Sequence, residues 1–375
     1  MNAPRSAKIP PEALPRSDRE RLDWLRLARS RRVGPATFIR LIREHGSAAA
    51  ALGALPGLAA AAGVRGYAPA TREDALAETK AADAAGARLL LLGADDYPAA
   101  LAAIADPPPA LWARGEPGLA ARPAVALVGA RNASALGCRM AARLARELGA
   151  AGLVVVSGLA RGVDAAAHEA ALATGTIAAM AGGVDVVYPP ENAALTARIA
   201  AEGLALSEMP PGHAPRAQDF PRRNRVISGL ALGVVVIEGA ERSGSLITAR
   251  DALDQGREVM AVPGSPLDPR AAGCNALIRD GATLVRSAAD VLEALAASLP
   301  AAPRRPPAPA PDRPAPAAPG LGGRLLALLG PSPTPEDLLI RETGAAPAEV
   351  AATLLELELD GAVARHPGGL VSRPA

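Results

Sequence analysis

The chain has 375 residues, enough for two or three domains; half are hydrophobic, much of that alanine, and 40 Lys/Arg stand against 38 Asp/Glu for a net charge of +2. Near-balanced charge requires any nucleic-acid role to come from local clusters rather than from an overall basic field. Two distant cysteines, Cys138 and Cys274, exclude a disulfide scaffold and a cysteine-based zinc site, while the absence of an apolar run of ~18–20 residues or of a secretory apolar stretch leads to an expected cytoplasmic compartment with no membrane contact.

Residues 1–17, rich in proline and charge, are expected to be loose. Residues 18–62 read as short helices, with Leu22, Leu25 and Leu27, then Phe38, Leu41 and Ile42 at helical spacing. The stretch Arg32-Val-Gly-Pro-Ala-Thr37 between them is a tight turn of the helix-hairpin-helix kind, whose amides can hold phosphate. Residues 1–45 carry 11 Lys/Arg and 5 Asp/Glu. Two readings stand for these helices: an accessory DNA grip, or a packing domain with solvated arginines. The expected domain limits are 1–70 for this helical part, 71–299 for an α/β domain, 300–320 for a Pro/Ala linker and 321–375 for a last small domain.

The α/β part begins with a polar helix at 72–86 and a strand at 89–92. Three prolines at 107–109 forbid regular structure, and Leu111-Trp112 resumes as a short strand. Strands then alternate with helices: 125–128, 153–156, 176–180, 204–209, 234–237 and 259–262, among which 125–128 and 234–237 are wholly apolar. Uninterrupted apolar strands are buried on both faces, as in a parallel sheet. Their alternation with helices of 10–15 residues predicts a right-handed, doubly wound sheet. Residues 273–285 and a helix at 288–299 close the domain.

Three strand-to-helix loops, 129–134, 157–164 and 239–245, should share one rim of that sheet, where open α/β sheets bind ligands. Gly129, Gly158 and Gly244 allow close approach of a ligand, Arg131 and Arg161 add charge, and helix N-termini attract phosphate. Residues 220–264 concentrate these features: Phe220 beside Arg222, Arg223 and Arg225, then a strand and the loop Ser243-Gly244-Ser245. Phe220, one of two phenylalanines, reads either as a base platform or as a helix-entry staple. Arg222 and Arg225 share a helix face, whereas Arg223 points elsewhere. Neither G-x-G-x-x-G nor G-x-x-x-x-G-K-[ST] occurs, which counts against dinucleotide chemistry and a P-loop. Asp164 and His168, one helical turn apart, lack the third partner that a catalytic or metal site needs; Asp164 is expected to orient the Arg161 loop, His168 to pack or hydrogen-bond locally, and Glu238 to bind backbone or arginine.

The last domain reads as three helices (321–329, 335–342, 347–360) and a hairpin, a winged helix, with Thr334 and Pro335 as a cap and first-turn pair. Its third helix carries Glu349, Glu356, Glu358 and Asp360 and no Lys or Arg, so it should repel phosphate and touch protein instead.

In order, Val128-Gly-Ala-Arg131, Ser157-Gly-Leu-Ala-Arg-Gly-Val-Asp164, Gly182-Gly-Val-Asp-Val-Val-Tyr-Pro189, Phe220-Pro-Arg-Arg-Asn-Arg225, Arg242-Ser-Gly-Ser-Leu-Ile-Thr248 and Val262-Pro-Gly264 resemble the DNA-processing protein A family (DprA/Smf) over roughly residues 88–285. The resemblance implies an extended Rossmann-like fold flanked by helical and winged-helix domains. It implies a homodimer, not an enzyme and without cofactor or metal, that binds and protects incoming single-stranded DNA and helps load RecA recombinase during natural transformation. It places DNA contacts at Gly129, Arg131, Ser157, Gly158, Arg161, Gly182, Arg216, Phe220, Arg222, Arg223, Asn224, Arg225, Ser243, Gly244, Ser245 and Thr248. Self-association and the recombinase contact fall in 273–285, with Asn275, Leu277 and Ile278. Members often carry a lysine where this chain has Pro190 and a basic residue where it has Ala217, with Arg216 alongside. The alternative reading is a nucleotide-phosphate hydrolase on a related scaffold, but Pro263-Gly264-Ser265-Pro266 lacks the P-G-G-x-G-T loop that this chemistry needs.

Overall fold

The computed structural model describes residues 9–299, 320–330 and 332–373. The chain divides into two compact units, Met1–Pro300 and Ala301–Ala375. The Pro/Ala linker expected at 300–320 lies, up to residue 319, outside the described residues.

The first unit is built on nine strands: β1 (Arg88–Leu91), β2 (Ala110–Gly115), β3 (Ala124–Val128), β4 (Val154–Ser157), β5 (Thr176–Ala179), β6 (Leu204–Ser207), β7 (Gly233–Val236), β8 (Glu258–Ala261) and β9 (Thr283–Leu284). Their order is β1-β2-β6-β5-β4-β3-β7-β8-β9. Strands β3 to β9 pair in parallel, with Ala126 opposite Val234 and Val155 opposite Thr176. The sheet is nevertheless mixed, because β2 runs antiparallel to both β1 and β6. The doubly wound core was expected; the antiparallel edge and the two-residue strand β9 were not.

Alternation along each central strand divides the core in two. Val125 and Leu127 of β3 pack with Val155, Val235 and the helix Ala135–Ala150. Ala126 and Val128 pack on the opposite face with Val154, Val156, Val234 and the helix Asp219–Leu230. Period-two side-chain direction is what lets one apolar strand serve both layers.

The N-terminal helices, Asp18–Arg29, Pro35–His45 and Ala48–Ala61, share the second of these cores. Trp24 is fully buried, meets Phe38 edge-on at 4.8 Å, and donates its indole N–H to the Pro109 carbonyl at 2.8 Å. Trp112 donates to Glu78 at 2.7 Å, and Glu78 also receives Arg29 at 2.7 Å. Residues 9–14, expected to be loose, form a short turn around Pro11–Ala13 with Ile9 and Ala13 buried.

The second unit has helices Leu321–Leu328, Glu336–Thr343 and Pro347–Leu359 around Leu325, Leu339, Val350, Leu354 and Val371. Its three-stranded sheet is Thr334–Pro335, Leu370–Ser372 and Ala364–His366. Thr334 and Pro335 form a strand against Val371 and Leu370 instead of the expected cap and first turn; the sheet register overrides the local helix-start signal.

Candidate nucleic-acid interface

Beside β3 and β7 the connections leave in opposite directions, β3 toward β4 and β7 toward β8. This opens a crevice at the carboxyl rim, where the loops after β3, β4 and β7 converge. Close packing of backbone shapes it. A Cβ on Gly129 would stand 2.6 Å from Val163 Cγ2 and 2.9 Å from the Glu238 carbonyl. Gly162 has φ +75, and its Cβ would lie 2.3 Å from the Ala130 carbonyl. Glu238 accepts from the Ser134 amide at 2.8 Å and from the Ser134 hydroxyl, which in turn receives Gly137 N–H at the start of the next helix. This carboxylate anchors the β3 loop.

The loop after β4 departs from expectation. Three of its amides are bonded internally. Gly158 and Ala160 N–H donate to Asp164 Oδ2 at 3.1 and 3.3 Å, and Leu159 N–H donates to His168 Nε2 at 3.3 Å. Asn192 holds the Leu159 and Ala160 carbonyls. Asp164, as expected, and His168 with it therefore organise the loop by taking up the 158–160 amides. Ser157 is fully buried and gives its hydroxyl to Leu127 O at 2.6 Å, so it is a structural residue.

Arg223 lies beneath Gly158 and donates to the carbonyls of Gly158, at 2.6 Å, and Ala179. A Cβ on Gly158 would be 2.7 Å from the guanidinium, so a larger residue there would have to displace Arg223 from its two carbonyls. Burial pulls the Arg223 pKa down to about 10, with Asp164 opposing and Arg131 adding to the fall. The same burial raises Asp164 against the pull of Arg223.

Above this buried layer is an exposed cluster. The Arg131 guanidinium stands 5.1 Å over the Phe220 ring, and Phe220 meets Tyr188 at 5.5 Å, tilted by 54°. Two hollows, of ≈ 230 and ≈ 590 Å³, share Arg131 and Phe220 in their walls and form the halves of one groove. The smaller half adds Gly158, Arg161, Gly182 and Tyr188. The larger adds Gly129, Asn224, Ser243, Gly244, Ser245 and Thr248. Phe220 thus forms part of the groove wall. Tyr188, Arg242 and Arg270 also line the groove; Tyr188 and Arg242 lie inside the motifs that carry the family resemblance, whereas no sequence signal marks Arg270.

Three arginines fall outside the groove walls. Arg225 is held by Glu208 at 2.5 Å and by Asp106 at 3.4 Å, with only 12% of its side chain exposed. Arg222 lies near the same Glu208 at 3.9 Å. Arg216 is exposed, and its amide caps Asp219 at 2.8 Å. Glu208, at the end of β6, claims the face shared by Arg222 and Arg225. At the Pro190 position the groove wall carries no cation, and the neighbouring Glu191 approaches Arg161 at 3.4 Å. Asn275 brackets Gly264, accepting from its N–H and donating to its carbonyl, while Leu277 and Ile278 pack against the main core.

Three family models match in order: a DprA-like N-terminal HHH domain over residues 18–81, DNA recombination-mediator protein A over 88–296, and a DprA winged helix domain over 307–369. Protein Smf of Escherichia coli is 42% identical over 278 residues, which are 73% of this chain and 74% of that protein. The structure of DNA processing protein A from Streptococcus pneumoniae is 45% identical, with a TM-score of 0.53 over 55% of this chain and 73% of that one. The Helicobacter pylori DNA processing protein A, solved for its single-stranded DNA binding mode, is 30% identical with a TM-score of 0.53 over 57% of this chain and 97% of its own. With this motif order, groove and sequence identity, the chain belongs to the DNA recombination-mediator protein A family.

Proposed function

We propose that this chain binds single-stranded DNA along the carboxyl rim of its sheet as a DNA-processing protein of natural transformation, and that it loads RecA recombinase as a homodimer. The observation that carries the reading is the stack of Arg131 on Phe220 beside Tyr188, continuous with the 243–245 loop. Aromatic faces take any base, and a guanidinium takes any phosphate, so such a surface holds a strand without reading its sequence. The paired bases of a duplex could not stack there, so single strands are preferred. Family membership and the single-stranded DNA bound by the Helicobacter pylori relative support the same conclusion.

Self-association and the recombinase contact are assigned to residues 273–285. That assignment is supported by β9, a two-residue strand at the sheet edge with Thr283 and Leu284 exposed. An unpaired edge is a surface that another chain can extend.

The test is a salt-titrated comparison of single- and double-stranded oligonucleotides by fluorescence anisotropy. Log affinity for the single strand should fall with log salt by about 0.7 per phosphate neutralised. Arg131→Ala should weaken it about tenfold, from the lost phosphate contact and ring stack, with an unchanged urea midpoint. Equal binding of duplex, or unchanged affinity in Arg131→Ala, would refute the site.

A further inference from the structure

The groove continues beyond the residues assigned so far. A third hollow, of ≈ 490 Å³, opens on the other side of the Glu238 loop, along the first turns of the helix Ala135–Ala150. Arg270 lines both this hollow and the main groove, so the two adjoin at that side chain. Its far wall is Arg139 and Arg143, and Arg146 follows on the same helix; all three are exposed. Positions separated by four and three residues share one helix face, so these arginines form a basic stripe about 10 Å long. The floor is apolar: Leu136 is 57% exposed, with Met140 and Pro263 beside it.

Acidic groups on this path are already engaged. Both Glu238 oxygens are taken by Ser134, Asp268 pairs with Arg270 at 2.9 Å, and Glu147 pairs with Arg143 at 2.8 Å. Arg143 and Glu147 are both largely solvent-exposed, so a phosphate can compete for that arginine at little cost.

We propose that a long single strand leaves the main groove past Arg270 and lies along Arg139, Arg143 and Arg146, with its bases against Leu136 and Met140. This second segment rests on the single-stranded DNA reading above; it lengthens the footprint and adds salt-dependent affinity. A short strand fills the main groove alone and does not reach the stripe.

The experiment uses the full chain and oligothymidylates of about 6 and about 30 nucleotides. The triple variant Arg139→Ala, Arg143→Ala, Arg146→Ala should bind the short strand like wild type. On the long strand it should lose about tenfold in affinity, and the slope of log affinity against log salt should shrink by about 2. The corresponding triple lysine variant should retain long-strand binding, because phosphate recognition there needs charge rather than a planar fork. Wild-type affinity of the alanine variant for the long strand overturns the proposal. So does an equal loss on both strands, or a lysine variant as weak as the alanine one. Arg131→Ala separates this from failure of the main site: if it leaves short-strand binding intact, the primary reading is wrong whatever the stripe does.

Discussion

His168 makes the stability of the first unit depend on pH in a way that can be worked out in advance. Its ring is fully buried. Nε2 accepts the Leu159 N–H, so the proton sits on Nδ1 and is given to Thr176 Oγ1 at 2.7 Å; the threonine hydroxyl passes its own proton to Val155 O at 2.9 Å. A second ring proton would point at an amide proton inside a dry pocket beside the Arg223 charge. Burial first, and Arg223 second, hold the imidazole pKa down from 6.5 to about 3. The folded value is below the unfolded one. The contribution is therefore complete above pH 6.5 and is lost as pH falls toward 3. Each pH unit in that window costs about 1.36 kcal/mol, so two units below 6.5 cost about 2.7 kcal/mol, a large share of a typical 5–15 kcal/mol. Asp164 acts in the opposite sense, since burial raises its pKa and its burden eases on acidification. Comparing wild type with His168→Gln, which offers a similar donor and acceptor but does not titrate, isolates the imidazole. Urea midpoints followed by the fluorescence of Trp24 and Trp112, both buried in this unit, should diverge steadily between the two proteins below pH 6.5. Parallel pH profiles would refute the reasoning.

Gly162→Ala should destabilise the first unit by about 3 kcal/mol or more, because the residue combines φ +75 with a Cβ position 2.3 Å from a carbonyl oxygen; a change below about 1 kcal/mol in urea denaturation would contradict the packing described. Arg225→Met should cost about 3 kcal/mol by leaving Glu208, 8% exposed, with only the exposed Arg222 at 3.9 Å as a cation. Adding Glu208→Gln should recover much of that loss, and the recovered protein should bind single strands like wild type; a selective DNA defect would return Arg225 to the site. Phe220→Ala should weaken single-strand binding by about 1–3 kcal/mol with little effect on folding, since the ring is a partly exposed wall; a stability loss with unchanged affinity would make it a staple after all.

The chain alone determined the succession of elements. Runs such as Val234-Val235-Val236 have no polar side that water could keep, so they must be central strands. Glycines at 129 and 158 after such runs marked the rim loops, and Arg131, Phe220 and Ser243 were legible as residues of its wall because each stands in a loop or helix start fixed by local signals. Tertiary structure alone decided which polar groups remain available to a ligand. The helix period separates Arg223 from Arg222 and Arg225, but whether each face meets solvent or a partner depends on residues distant in the chain: Gly158 and Ala179 carbonyls for Arg223, Glu208 and Asp106 for Arg225. The same holds for the 158–160 amides, which look open to phosphate in one dimension and are satisfied by Asp164 and His168 in three. A buried polar group must find a partner wherever the fold supplies one, and that search runs through space rather than along the sequence.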